Sequence, residues 1–304
     1  MTLAADRWPA YPEPAPGPSG PGGPGGPATR TGPRSGTRTV WRLELAKLRG
    51  QGRVRAIAAA CLVGPFVIVA GLNVQSATPG DTAFGQWVHT SGFAIPMVIL
   101  GFGGQWLLPV GTAVVAGDIF SAEDHFGTWK TILTRSRSRR ELFAGKFLAA
   151  LTFATAAMML LIITDLLAGL LAGTQPVAGL GGQLVPAGHA TELVLVSWLS
   201  VIPPVLGFTA LAIFASVASR NSVIGIGVPV VLTLAFQVAT LIALPAWGQQ
   251  VLLSTPFTAW HGFWEQPAYV GPFLYGLLTS AVWFTLCSAA AWLVFRRRTI
   301  GGAS

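Results

Sequence analysis

Long apolar segments alternate with short basic segments along the chain. Six windows contain no Asp, Glu, Lys, Arg or His except Asp165. A helix of about 20 apolar residues crosses a bilayer, so each window is long enough for one span. The pattern predicts an all-α integral membrane protein with six transmembrane helices. We expect the spans at approximately 56-76, 92-117, 147-173, 193-218, 222-245 and 270-295.

The first residues have a different composition. Residues 1-38 are rich in Pro and Gly, as in the run 20–27. Such a sequence has no apolar face to bury, so we expect a disordered tail. The transmembrane domain is then expected over 39-298, with a short cytoplasmic tail over 299-304.

A basic amphipathic helix is predicted before the first span. Trp41, Leu45 and Leu48 have i, i+4, i+7 spacing and share one helical face, whereas Arg42 and Lys47 lie off it. This arrangement is typical of a helix on the membrane surface, with Trp41 at the level of the lipid headgroups. A plain basic flank of the first span is the alternative.

Composition supports a membrane protein over a soluble one. Only 10% of the residues are charged, whereas soluble domains carry about 25%. This shortage excludes an ordinary cytosolic enzyme. The net charge of +8 would by itself also suit nucleic-acid binding, so the positions of the charges have to decide.

The basic residues indicate the orientation of the chain. Nine of the 19 Lys and Arg precede the first span, six lie between spans two and three, one is Arg220, and three are Arg296–Arg298. With six spans, these four segments lie on one side, which the positive-inside rule makes cytoplasmic. Both termini are then cytoplasmic.

The same distribution accounts for the basic cluster Arg135–Arg140 without any nucleic-acid partner. The expected location is the plasma membrane, as a multi-pass protein, and the high content of Ala, Gly, Pro and Arg favours a bacterial source.

The loop between spans two and three carries the most informative residues. Ser121 and Asp124 have the spacing of a capping box, and an apolar patch of Trp129, Ile132 and Leu133 follows. We therefore expect span two to end near Gly117 and a short amphipathic helix to follow. Its large apolar residues need the membrane or a partner protein to pack on.

This loop resembles the loop after the second span of ABC-2 type permeases, the membrane subunits of ATP-binding-cassette exporters. The resemblance rests on Glu123, Gly127-Thr128, Leu133, Ser138-Arg139 and Lys146, and on topology over about 40–298. The chain departs from the family where a proline often precedes the Ser-Arg pair.

The resemblance implies that this loop couples the permease to a separate ATPase subunit. It also implies a second permease subunit, as a homodimer or heterodimer. The expected coupling residues are Glu123, Gly127, Thr128, Trp129, Lys130, Arg139 and Lys146.

No catalytic or cofactor motif is present in the chain. A P-loop requires G-x-x-x-x-G-K-[ST], and Gly145-Lys146 is followed by Phe147. ATP and Mg are therefore expected on the partner ATPase, and this chain is expected not to be an enzyme. His261 and Glu265 lack further ligands, so no metal site is predicted.

Two features could belong to a substrate pathway or to structure alone. Asp165 is the one carboxylate inside a predicted span, and such residues usually face the bundle interior. It could contact the substrate or lie near the outer edge of its span. The aromatic region 246-270 could form short re-entrant helices, as the resemblance implies, or an interfacial aromatic belt.

The leading hypothesis is the permease subunit of an ABC-2 type exporter. The alternatives are an ion-coupled secondary transporter, for which Asp165 is the candidate coupling group, and a non-transporting immunity or scaffold subunit. The residues do not identify the substrate.

Overall fold

Helices make up nearly all of the regular structure. The computed structural model describes residues 36–75, 79, 83–127, 138–240, 242 and 244–298. The predicted tail up to residue 35 and residues 299–304 lie outside the described residues. The α-helices are α1 Thr37–Gly50, α2 Gly52–Val74, α3 Ala94–Ile99, α4 Leu108–Ala116, α5 Ser121–His125, α6 Arg139–Ala172, α7 Ala187–Ser200, α8 Ile202–Ser219, α9 Ser222–Thr240, α10 Ala246–Val251 and α11 Gly271–Arg297.

Within the described residues, six helical segments are long and apolar enough to cross a membrane, which confirms the predicted count and fold class. They are Gly52–Val74, Ala94–His125, Arg139–Ala172, Ala187–Ser219, Ser222–Thr240 and Gly271–Arg297. We number them spans one to six. Span four is the central helix, since 72% of its apolar window is buried against 11% for span one.

Several ends differ from the expected ones for local reasons. Span three begins at Arg139, because Ser138 and Glu141 form a reciprocal capping box that satisfies free N–H groups of the first turn. The expected box at Ser121 and Asp124 does not form, and the Ser121 hydroxyl donates instead to the Gly117 carbonyl at 3.0 Å. Span four divides at Val201, where Pro203 and Pro204 start a new helix because proline lacks the N–H that would continue the old one.

Span two is not a uniform α-helix. Its middle, Leu100–Leu107, is π-helical and lies between α3 and α4. Gln237 of span five donates its side-chain amide to the Gln105 carbonyl at 2.8 Å. A π segment leaves backbone groups in altered positions and recurs at functional sites. Spans two and five are therefore linked by a polar contact inside an apolar bundle.

Spans two and five also cross closely near Gly117 and Gly225. A Cβ atom on either glycine would overlap the backbone of the other. The approach agrees with the predicted small-residue contact of span five at Gly225, whereas a Cβ on Gly227 would meet nothing within 4 Å.

The region before span six consists of two short helices, α10 and a 3-10 helix over Thr255–Trp264. Phe257, Trp260 and Trp264 are buried in the main hydrophobic cluster. An interfacial aromatic belt therefore does not describe these three side chains, although Trp247 is exposed. A two-stranded antiparallel ladder, Val177–Ala178 with Leu184–Val185, lies between spans three and four at the same end.

Candidate functional site

The candidate site lies at one end of the bundle, where α1, α5, the start of span three and the end of span six meet. We call this the basic end. Helix α1 packs along span three, with Val40 against Gly145, where a Cβ would clash. The Trp41 indole N–H donates to the Thr152 hydroxyl at 3.0 Å. The N-terminal helix is therefore docked on the protein.

The buried face of α1 differs from the predicted apolar face and includes the carboxylate side chain of Glu44. Val40, Glu44 and Leu48 are buried, whereas Trp41 and Leu45 are partly buried against the same apolar cluster. The predicted interfacial residues thus contact the protein, and the membrane-surface position of the helix stays a prediction.

Lys146 is the centre of the site. Its side chain is 1% exposed and its ammonium lies 3.0 Å from both the Glu44 and Glu123 carboxylates. It also donates to the Ile119 carbonyl at 3.0 Å. Because a buried cation requires partners to offset its lost hydration, this contact joins α1, α5 and span three in one arrangement.

Lys47 completes the cluster from the solvent side. Its ammonium lies 2.5 Å from Glu123 and 3.7 Å from Glu44. Burial would lower the pKa of Lys47, but the hydrogen bond to Glu123 and the charges of Glu44 and Glu123 outweigh that effect and raise it. Lys47 therefore stays cationic at physiological pH, and two cations face two carboxylates.

Two further ion pairs connect residues 118–125, the end of span two that contains α5, to neighbouring helices. Arg53, in the first turn of span one, binds the Asp118 carboxylate and donates to the Val114 carbonyl. Arg298, after the end of span six, binds Asp124 at 2.9 Å. Burial lowers the pKa of Arg298, against the opposing effect of Asp124.

Span four is connected to the segment through Ser216. The Ser216 hydroxyl accepts hydrogen bonds from the backbone N–H groups of Phe120 and Ser121, at 3.2 and 3.1 Å. These contacts satisfy donors at the start of α5 that the helix itself cannot. The end of span two, residues 118–125, is thus fixed to spans one, three and four, to α1 and to the C-terminal end of span six.

A cleft of about 590 Å³ opens between α1 and this segment. Glu44, Lys47 and Arg53 line one side, and Glu123 and Phe126 line the other. Phe126 is 74% exposed and directly precedes Gly127, whose φ of 62° is left-handed and favours glycine. Aromatic residues such as Phe126 are enriched at protein interfaces.

The predicted coupling residues fall into three groups. Glu123 and Lys146 are buried together, so in this arrangement they act within the chain. Arg139 donates to the Arg298 carbonyl at 2.6 Å, and Gly127 lies two residues after the end of α5 at His125. Thr128, Trp129 and Lys130 lie outside the described residues.

Sequence reasoning missed several members of the site. The i, i+3 spacing of Glu44 and Lys47 is a visible signal of an ion pair. The other pairs join distant parts of the chain, and no local pattern marks them. The missed residues are Glu44, Lys47, Arg53, Asp118, Asp124, Phe126, Ser216 and Arg298.

Asp165 lies away from the basic end, in span three. It is fully buried, and neither carboxylate oxygen has a hydrogen-bond partner among the described residues. The Trp198 indole is close but outside hydrogen-bonding geometry. Asp165 lies seven residues before the end of its helix at Ala172, so contact with the substrate and a position near the outer edge of the span both stay open.

Comparison with known proteins assigns the chain to a family. The family model described as ABC-2 family transporter protein matches residues 41–236, which include most of α1, spans one to four and most of span five. The uncharacterized protein YhcI of Bacillus subtilis (strain 168) is 24% identical over 180 residues, covering 55% of this chain and 53% of that protein. The chain therefore spans about half the length of this curated relative. With most of the chain matched by the family model, this six-span protein belongs to the ABC-2 family of transporter proteins.

Proposed function

We propose that this chain is the permease subunit of an ABC-2 type exporter. It would pair with a second permease subunit, and a separate ATPase subunit would bind ATP and Mg and supply the energy. The end of span two and the loop that follows it, residues 118–134, would transmit the movement of the ATPase to the spans. Family membership supports a membrane transport component.

The main support for the coupling role is that Glu123 is held in place by two ion pairs. This residue directly precedes the loop expected to meet the ATPase, and Lys146 and Lys47 hold it against span three and α1. A force on the loop would therefore act on both elements together. A segment fixed by buried ion pairs transmits a displacement, whereas a solvated loop would absorb it.

The contact with the partner is proposed for the exposed residues of this segment. Phe126 is the described member, and Gly127, Thr128, Trp129 and Lys130 continue it along the chain. Glu123, Arg139 and Lys146 would position the exposed residues without contacting the partner, because their side chains bind within the protein. Nucleotide binding to the ATPase and substrate binding to the permease must then shift the same equilibrium between two conformations.

The experiment is a mild-detergent purification of the tagged full chain, with mass spectrometry of the proteins that co-purify. We expect a stoichiometric subunit that carries a P-loop. Purification of a folded chain without an ATPase, from cells that express the neighbouring genes, would contradict the proposal.

The coupling contact is tested with Phe126→Ala and Trp129→Ala in that complex. We expect the complex to assemble while transport and substrate-stimulated ATP hydrolysis fall about tenfold or more, as for a lost interface anchor of about 1.4 kcal/mol. Leu184→Ala is the matched control, since Leu184 is 75% exposed at the opposite end. Unchanged transport in both variants would remove the coupling role from this segment.

A second candidate function rests on Asp165. An unpartnered buried carboxylate within a span is typical of ion or proton pathways, so an ion-coupled secondary transporter is the alternative. Transport that follows an ion gradient without ATP, and that is lost in Asp165→Asn, would favour this alternative over the ATPase-driven exporter.

A further inference from the structure

Arg298 has a buried guanidinium of which only one nitrogen is paired. The residue directly follows span six, its side chain is 4% exposed, and its Nη1 donates to the Asp124 carboxylate at 2.9 Å. Its Nε and Nη2 are also buried, but they have no hydrogen-bond partner among the described residues. A buried charged donor without an acceptor costs folding free energy. An acceptor from outside this part of the chain would therefore be bound favourably.

The two unpaired nitrogens lie on the same edge of the guanidinium. The Nε–H and one Nη2–H of an arginine point in the same direction and form a planar fork. Such a fork donates two parallel hydrogen bonds to two oxygens of one carboxylate or phosphate. Asp124 leaves the fork free, because it binds the other side of the group at Nη1. The acceptor that the fork fits is therefore an oxyanion.

Basic side chains outnumber acidic ones around this fork. Burial lowers the pKa of Arg298, Asp124 opposes that effect, and the charge of Arg220 lowers the pKa further. Arg139 lies close as well, since it donates to the Arg296 and Arg298 carbonyls at 3.2 and 2.6 Å. Neither Arg139 nor Arg220 forms an ion pair with a carboxylate of the described residues.

This balance of charge favours a phosphate over a carboxylate. Arg139, Arg220 and Arg298 against Asp124 leave a surplus of two positive charges. Glu141, at the start of span three, is already used in the capping box of that helix. A phosphate monoester carries about 1.5 to 2 negative charges at pH 7, so it would balance the surplus, whereas a carboxylate would neutralise only one cation.

The same three arginines lie at the ends of membrane spans. Arg139 begins span three, Arg220 follows span four, and Arg298 follows span six. Basic residues at the ends of spans lie at the level of the lipid headgroups. Arg220 is exposed, so a phosphate from the lipid surface or from solution would meet it first. Binding to the fork would then require a local movement at the end of span six, because the fork is closed to water in this structure.

We propose that Arg298 and Arg220 form a binding site for a phosphate monoester, either inorganic phosphate or the headgroup of phosphatidic acid. The Arg298 fork donates two hydrogen bonds to the phosphate, and Arg220 balances its charge. Because Arg298 also binds Asp124, a bound phosphate would stabilise the end of span six against residues 118–125. The site does not rest on the proposed function, since phosphate would bind the permease without an ATPase.

The test measures the melting temperature of the purified full chain in a non-ionic detergent, at an ionic strength kept constant with sodium chloride. Inorganic phosphate is one probe, with acetate as its control. Phosphatidic acid is the other probe, with diacylglycerol as its control. A ligand that binds only the folded chain raises the melting temperature with its concentration. We expect at least one phosphate probe to do so and both controls to have no effect.

Three variants locate the site. Arg298→Lys keeps the charge but loses the fork, so we expect the apparent Kd from the melting curves to rise about tenfold or more, as for a lost charged hydrogen bond. Arg297→Lys, on an exposed neighbour, is the matched control and should bind as the unaltered chain does. Arg220→Gln should also weaken binding, and its exposed, unpaired side chain makes misfolding of this variant an improbable cause.

The two probes distinguish the sources of the phosphate. A rise with inorganic phosphate supports a site for the free ion, and a rise with phosphatidic acid alone supports a site for the lipid headgroup. No rise with either probe would overturn the proposal, as would equal Kd values for Arg298→Lys and Arg297→Lys. An equal rise with acetate would also overturn it and would assign the fork to a carboxylate, such as that of a partner protein.

Discussion

At the scale of single residues, Lys146 has the largest structural role at the basic end. Lys146→Met would leave Glu44 and Glu123 facing each other without their buried cation. Removing one partner of a buried ion pair costs about 3–5 kcal/mol, so we expect a stability loss of at least about 3 kcal/mol. Chemical unfolding of the purified chain, followed by tryptophan fluorescence, measures it.

Lys47→Met is the control for that variant. Lys47 binds the same carboxylates, but 53% of its side chain is exposed, and exposed pairs contribute less than about 1 kcal/mol. Equal losses in the two variants would show that burial of Lys146 does not matter. The comparison thus separates the buried contact from the solvated one.

Substitution of Asp165 should have the opposite effect on stability. A buried carboxyl without a partner costs folding free energy, so its replacement by an apolar side chain in Asp165→Leu is expected to leave stability unchanged or to raise it by about 1–2 kcal/mol. If Asp165 belongs to the substrate pathway, transport falls in the same variant. Full transport at raised stability would remove Asp165 from the pathway.

At the scale of elements, the crossing of spans two and five can be tested by one methyl group. Gly225→Ala would press a Cβ against the Gly117 backbone, and overpacking of this kind costs about 1–3 kcal/mol. Gly227→Ala, two residues further along the same helix and in open space, should be neutral. The melting temperatures of the two variants, compared in one detergent, check this difference.

The elements were predictable from sequence to different degrees. Six spans follow from hydrophobic length alone, because a continuous apolar stretch of about 20 residues crosses a bilayer as a helix that satisfies its own backbone polar groups. The start of span three at Arg139 was missed, because the span was placed by its apolar window from 147, although Ser138 and Glu141 have capping-box spacing. The π-helical segment and the β ladder were not predictable from sequence, because they depend on tertiary contacts such as the hydrogen bond from Gln237 to Gln105.

The site was predictable only in part for the same physical reason. Lys146 and Glu123 could be selected from a resemblance, but their mutual burial could not, because Glu44 reaches them from another helix. A charged residue at the start of a predicted span suggests solvent exposure. The fold instead places α1 over it.

At the scale of the whole molecule, the basic end is predicted to lie in the cytoplasm. Arg140 and Leu184 are exposed at opposite ends of the protein, so Arg140→Cys and Leu184→Cys form a matched pair. A membrane-impermeant maleimide on intact cells should label only Leu184→Cys. Label on Arg140→Cys alone would reverse the orientation.

The pair of Asp124 and Arg298 has a consequence for biosynthesis. Its two partners are separated by 174 positions along the chain, and Arg298 follows the last span. During translation, α1 and span three can meet Glu123 early, but Arg298 arrives only after span six has been made. The contacts of residues 118–125 are therefore completed last, so a chain that stalls before span six would lack this C-terminal contact at the surface proposed for the ATPase.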